Sequence, residues 1–211
     1  MRRNDKYRTA IGIDVGCRNI NVAQLVMASS KPQIAALSML PRTKIGEQIN
    51  PEDILTMKRA LKRQGFCGND IVLAAPEGGL LRGIFDIPPQ VSGTPLAQIA
   101  RMELSRLHHV APDSFEMVCW DPLDLSKSKS RLQSTAIGCT HEMADAFIDL
   151  FEDSGFRVSA LDIRIAAAAR ACKTLTIPAP ALTCILNIGW ESTNLLLLCG
   201  STVVYERPFL N

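Results

Sequence analysis

The chain opens on two short runs in which apolar residues fall at every second position, Ile11-Gly12-Ile13-Asp14-Val15 and Ile20-Asn21-Val22-Ala23-Gln24-Leu25. A period of two marks strands with one buried face, and the turn between them sits on Gly16. The pattern predicts a hairpin, followed by a third strand over Gln33–Leu37 and a loop from Pro41 to Gln48. The period then changes to that of a helix. Asn50 stands as N-cap, Pro51 as first helical residue, and Glu52 and Asp53 fill the first turn. Ile54, Met57, Lys58 and Leu61 line one side, Lys62 and Arg63 close the last turn, and Gly65 stops it. Asp70-Ile71-Val72-Leu73-Ala74-Ala75 reads as a strand buried on both faces.

A different texture covers residues 78 to 155. Leu80–Ile87 predicts a strand ended by Pro88-Pro89, and Thr94-Pro95 opens a helix to about His109 carrying Leu96, Ile99, Ala100, Glu103, Leu104 and Leu107. Phe115–Asp121 and Gln133–Gly138 read as a hairpin around the solvated tip Ser126–Arg131. Thr140 opens a helix with Ala144, Phe147, Ile148 and Phe151, stopped by Gly155. Phe156–Asp162 is a further strand, and Ile163–Cys172 an Ala-rich helix whose small side chains permit close helix packing.

The opening pattern then recurs. In Ile185-Leu186-Asn187-Ile188-Gly189-Trp190-Glu191-Ser192-Thr193-Asn194-Leu195, Asn187 falls on Asp14, Gly189 on Gly16, Ser192 on Asn19, Asn194 on Asn21 and Leu195 on Val22. Each copy runs on into another apolar strand, the second over Thr202–Tyr205. An internal repeat of this kind means two related subdomains. A tight Gly turn directs backbone N–H groups at one spot, which suits an oxyanion, and a carboxylate just before it suits a hydrated cation. An Asp-x-Gly turn is also an ordinary hairpin turn.

Composition adds little. The chain has 211 residues, 47% hydrophobic and 21% charged, with a net charge of +2, too near zero to argue for nucleic acid or anionic membrane. Lys127, Lys129 and Arg131 lack interleaved aromatics and read as a solvated loop. The seven cysteines are scattered without a Cys-x-x-Cys pair, so they read as reduced core residues. His108, His109 and His141 lack the spacing of a metal site. The leader, Met1 to Arg8, is charged, and no apolar run is long enough to span a bilayer.

In this order the pieces resemble the PilM family, the cytoplasmic actin-like proteins of type IV pilus platforms. The resemblance rests on the Asp14-x-Gly16 hairpin, the Pro51–Gln64 helix, Val72-Leu73-Ala74-Ala75-Pro76, Glu103, Pro112 to Phe115, Gly155-Phe156, the strand to Asp162, and the Ala-rich helix. It covers nearly the whole chain. Cell-division FtsA and the cytoplasmic part of GspL of type II secretion are cousins of the same pattern.

The resemblance implies an α/β fold: an actin-like, ribonuclease H-like subdomain over residues 1–77 and 156–180, an inserted αβ subdomain over 78–155, and the start of a second actin-like subdomain over 181–211. It implies an ATP and magnesium site at Asp14, Gly16, Cys17, Arg18, Asn19 and Asn21, with Asn187, Gly189, Ser192 and Thr193 from the second hairpin. Asp14 would reach the metal through water, and Asp162 would position the attacking water or cap the helix that follows. The departures from the family are sharp. Asn21 stands where the family has Lys, Cys17 where it has a hydroxyl, Asn187 where it has an acid, and the adenosine-binding second half has no counterpart. Trp190 lies where a phosphate would sit. The expectation is therefore a scaffold with a degenerate nucleotide site, docking the tail of a PilN-like membrane protein against Leu80, Ile84, Phe85 and Ile87. The alternatives are an ATPase switch of a pilus or type II secretion platform and a truncated remnant. The protein is expected at the inner membrane through its partner, on the cytoplasmic side, and as a homodimer joined by an intermolecular sheet at its exposed second hairpin.

Overall fold

In the computed structural model, residues 8–28, 31–87, 95–120, 132–178, 180–200 and 202–210 are described. They form strands β1 (Arg8–Val15), β2 (Asn19–Ala28), β3 (Lys31–Pro41), helix α1 (Pro51–Arg63), β4 (Asp70–Ala74), β5 (Leu80–Ile87), α2 (Leu96–His108), β6 (Phe115–Cys119), β7 (Leu132–Thr140), α3 (His141–Glu152), β8 (Arg157–Asp162), α4 (Arg164–Ala171), β9 (Leu182–Ile188), β10 (Ser192–Cys199) and β11 (Thr202–Leu210). The chain divides into two units, Met1–Pro76 with Asp145–Arg164, and Glu77–Ala144 with Ile165–Asn211.

The first unit is built on a five-stranded sheet in the order β3-β2-β1-β4-β8. The two N-terminal hairpins pair antiparallel, whereas β4 runs parallel to both β1 and β8. Ile11 lies opposite Ile71 and Ile13 opposite Leu73, so the apolar sets of two distant segments share one face. Ile54, Met57 and Leu61 of α1 and Phe151 of α3 join Ile20, Val22 and Phe156 in this core. The Phe147 and Phe151 rings meet edge-on at 5.3 Å. Each fully buried aliphatic or aromatic side chain contributes about 1.5–3 kcal/mol. α1 starts as its sequence dictates, with the Asn50 side chain accepting from the Asp53 N–H at 2.9 Å, and Gly65 follows its end at φ +83°.

The buried amide of this unit is hydrogen-bonded at both ends. Gln24, inside the sheet, donates from Nε2 to the carbonyls of Thr9 and Cys67, and its Oε1 accepts from the Cys67 N–H. One amide side chain thereby fixes the loop between α1 and β4, at the usual worth of about 1 kcal/mol per bond. β4 differs from its expected two-sided burial. Ile71 and Leu73 are buried while Asp70, Val72 and Ala74 are half-covered, so only one face meets the core. α3, expected within the insertion, sends Phe147 and Phe151 into this first core.

The second unit holds two three-stranded antiparallel sheets. In the order β5-β7-β6, the first lays Phe85, Phe115 and Ala136 against Ala100 and Leu104 of α2. Gly83 passes so close beneath Leu104 that a Cβ there would lie 3.0 Å from its side chain. α2 ends at His109 in the left-handed region, φ +56°. The other sheet, β11-β10-β9, buries Leu196, Leu198 and Val203 on one side and exposes Leu182, Leu186 and Ile188 of β9 on the other. The loop tip at 126–131 lies outside the described residues.

Truncating Phe151 to Ala removes a ring from the centre of the first core and should cost about 3–5 kcal/mol. Leu37→Ala, on an exposed site of β3, should stay within about 0.5 kcal/mol of wild type. Urea denaturation of the full chain measures both.

Candidate functional site

The two hairpins are built alike. Asp14 lies opposite Asn21 and Val15 opposite Ile20 in the first, and Asn187 opposite Asn194 and Ile188 opposite Thr193 in the second. In each, the turn closes through one hydrogen bond, Gly16 N–H to Asn19 O at 2.9 Å and Gly189 N–H to Ser192 O at 2.9 Å. A Cβ on Gly16 would stand 3.0 Å from the Asn19 carbonyl oxygen, and one on Gly189 2.8 Å from that of Ser192. Glycine is required by this close approach of backbone to backbone. The residues laid on one another by the repeat in sequence thus occupy equivalent places.

Around the first turn the structure gathers groups that the hairpin pattern does not contain. Arg42, just after β3, and Asp53, in the first turn of α1, form an ion pair at 3.2 Å with side chains 3% and 1% exposed. Arg42 Nη1 donates to the carbonyls of Gly16 at 3.3 Å and Cys17 at 3.5 Å, and the Arg42 and Gly46 N–H groups donate to the carbonyls of Arg18 and Cys17. Asp53 Oδ1 accepts from the Thr43 N–H and hydroxyl at 2.7 and 2.8 Å. Burial alone would raise the Asp53 carboxyl, but the two Thr43 bonds and the Arg42 guanidinium hold it below the usual carboxylate range. The turn is thereby pinned from behind.

The expected metal group, Asp14, has a different counter-charge. Arg164, the first residue of α4, reaches Asp14 Oδ1 with Nε at 2.9 Å and Nη2 at 2.7 Å. The same Nη2 lies 3.4 Å from the Val15 carbonyl. Asn21 Nδ2 donates to the other carboxylate oxygen, Oδ2, at 3.4 Å. Both carboxylate oxygens are engaged, and the charge is compensated by a fixed guanidinium. These residues do not fit a magnesium ion held through Asp14. Nor is any group of three or more His, Cys, Asp and Glu side chains among the described residues placed to hold a metal. Asp162 ends β8, with Oδ1 accepting from the Ile163 N–H at 2.8 Å, and its carbonyl accepts from the Ala75 N–H.

Other site residues fall elsewhere. Cys17 and Asn19 are half-covered in the first turn, and Arg18 is exposed there. Asn187, Gly189 and Trp190 are exposed in the second unit, where Ser192 and Thr193 are half-covered. Asn194 is 5% exposed, and its amide oxygen has no hydrogen-bond partner among the described residues. On the inserted sheet, Leu80 and Phe85 are buried, which removes them as lining for a groove, whereas Ile84 is 51% exposed. Alternation separates Phe85, which points towards α2, from Ile84 on the opposite face, which Leu80 shares. The side chain of Ile87 lies outside those described. His108 Nε2 meets the backbone of Arg82 at 2.9–3.1 Å and serves as a local tie.

Arg42, Arg164 and Glu206 were not found from sequence. Glu206 of β11 is buried beside Arg82 at 3.5 Å, and Arg82 also pairs with Glu77. Burial pushes the Glu206 carboxyl up, Arg82 pulls it down, and Glu77 adds to the rise. The signal for Arg42 was a cation in a loop otherwise free of strand or helix pattern; its partner was already assigned to the α1 first turn. Arg164 offered the signal of a cation at the head of a helix, where the macrodipole disfavours it.

No protein-family model matches the sequence, and no curated protein matches it significantly. Solved structures do. The chain is similar to the structure described as a PilM-PilN type IV pilus biogenesis complex, with a TM-score of 0.73 and 18% identity over 95% of this chain. It is also similar to the cytoplasmic domain of EpsL, an inner-membrane component of the type II secretion system of Vibrio cholerae, with a TM-score of 0.55 and 13% identity over 95% of this chain and 70% of that one. The chain spans 61% of the PilM–PilN chain that it matches. The fold is therefore α/β and actin-like in part, as the sequence implied. No helix among the described residues is long and apolar enough to cross a membrane.

Replacing Arg42 with Met leaves Asp53 buried without its cation and should cost about 3–5 kcal/mol at neutral pH. The folded carboxyl titrates below its unfolded value of about 3.9, so Asp53 contributes its stability above that pH and loses it as pH falls through the folded value. Chemical denaturation of both proteins across the acid range should show the gap between them narrowing below about pH 4.

Proposed function

We propose that this chain is a PilM-like scaffold of a type IV pilus platform, in which an actin-like fold serves protein docking and the nucleotide site is degenerate. The observation that carries the reading is the Asp14–Arg164 pair: the carboxylate of the phosphate-facing hairpin already has a cation of the chain's own. Asn21 and Asn187, neutral amides at the family's Lys and acid positions, point the same way. A phosphate chain needs aligned donors and cations to offset its desolvation. The likeness in fold to the PilM–PilN structure supports the choice of a pilus platform over other actin-like roles.

The partner in this reading is the cytoplasmic tail of a PilN-like membrane protein, which would bring the scaffold to the inner membrane. β5 is an edge strand, and Ile84 on it shares a face with Val118 of β6, 46% exposed. An extended apolar peptide added along such an edge gains main-chain hydrogen bonds and pockets for alternate side chains. A homodimer is a separate proposal, resting on the exposed Leu182, Leu186 and Ile188 of the edge strand β9.

Ile84→Asp should abolish co-purification of a PilN-like tail and leave the circular dichroism unchanged, because the side chain is outside the core. Survival of binding would move the partner site elsewhere. Calorimetry with magnesium-ATP should give no binding tighter than on the order of 1 mM, about −4 kcal/mol. Micromolar affinity would favour the ATPase-switch reading, with exposed Arg18 as the phosphate cation. For the dimer, sedimentation equilibrium should show association that Leu186→Lys weakens at least roughly tenfold, the equivalent of about 1.4 kcal/mol.

A further inference from the structure

A divalent cation beside Asp14 would need oxygen ligands, since hard cations take carboxylates, backbone carbonyls and waters. Two such oxygens face one place: Asp14 Oδ1 and the Val15 carbonyl. That place is taken, because Arg164 Nη2 stands 2.7 Å from the first and 3.4 Å from the second. The guanidinium is held by two contacts to one carboxylate oxygen, and its side chain is 19% exposed, so it is seated and partly dehydrated. Asn21 closes the other side of the carboxylate.

We propose that Arg164 is the built-in counter-cation of Asp14, standing where the actin-like fold implies a hydrated metal ion, so that this hairpin holds its shape without divalent cation. The inference rests on the reading of the hairpin as a degenerate nucleotide site. Arg164 is a positioning residue in this role: it fixes the end of β1, and with it the entry to the Gly16 turn, by charge. A planar guanidinium is suited to the task because it presents several donors at once and stays charged at any working pH. The Gly16 turn is then held at two points, by Arg42 on the Gly16 and Cys17 carbonyls and by Arg164 on Asp14 and Val15.

The test is thermal melting of the full-length protein with magnesium chloride, against sodium chloride of equal ionic strength and against chelator. Wild type should melt at one temperature under all three conditions. Arg164→Ala should lower that temperature by roughly 3–6 °C, as expected for loss of a partly buried ion pair. Magnesium should restore at least half of the loss, because Asp14 and Val15 then face a vacant cation place. Asp14→Asn in the Arg164→Ala background should recover the loss without magnesium and respond to none. Arg164→Lys, which keeps the charge, should remain insensitive to magnesium.

A wild type that shifts with magnesium or chelator overturns the proposal. So does an Arg164→Ala protein that magnesium leaves unchanged, or a double variant as unstable as the single one, which would mean that Arg164 acts by packing. If Arg164→Ala does not fold, the double variant and Arg164→Lys still decide the matter. Loss of the scaffold reading would appear separately, as micromolar magnesium-ATP binding by wild type.

Discussion

A carboxylate buried as deeply as Asp53 must be paired, and the pairing with Arg42 sets much of what surrounds it. The same acid receives the Thr43 backbone, sits in the turn capped by Asn50, and orients the guanidinium that holds the Gly16 and Cys17 carbonyls. The start of α1, the loop after β3 and the first hairpin turn are therefore one electrostatic unit. The sheet beneath depends on it less directly: its hydrophobic face would pack without Arg42, but the turn above would lose the ties that aim it.

The strands and helices of the first unit were legible because each obeys a local rule. Period-two apolar residues gave β1 and β2, and Asn50, Pro51 and Gly65 bounded α1 almost to the residue. The repeat was legible for the same reason: a glycine under a close backbone approach cannot be exchanged for another residue without moving the turn. The chemistry of the site was not legible to the same degree. Arg164 lies 150 positions from Asp14 in sequence, and nothing local announces that a cation at the head of an Ala-rich helix meets a carboxylate at the end of the first strand. Arg42 was hidden likewise, in a loop whose pattern predicts only exposure. Ion pairs between distant segments leave no periodic trace, so the sequence shows the framework of such a site and conceals its charges.

Strand β5, expected from sequence to meet a partner, shows the opposite case. Leu80, Ile84, Phe85 and Ile87 are all apolar, so composition alone offered four contacts for a partner. Alternation divides Phe85 from Ile84, and position along the strand divides Leu80 from Ile84. Phe85 faces α2 and is core, Leu80 is covered on the other side, and Ile84 is left half in solvent. The second hairpin presents a third case. Its turn copies the first, yet it carries Asn187 where the first has Asp14. The same backbone device stands in both units, with a carboxylate before the turn in one and a neutral amide in the other.

The Asp14–Arg164 pair also constrains how this protein can change over generations. A carboxylate neutralised by water and a mobile ion can be lost or regained in single steps, because solvent fills either vacancy. A pair made of a carboxylate and a fixed guanidinium is lopsided instead. Loss of Arg164 alone would leave Asp14 for a solvent cation to cover, at some cost in stability, whereas loss of Asp14 alone would strand a half-buried guanidinium that no solvent cation can neutralise. Descendants of this chain would therefore be expected to give up Arg164 before Asp14.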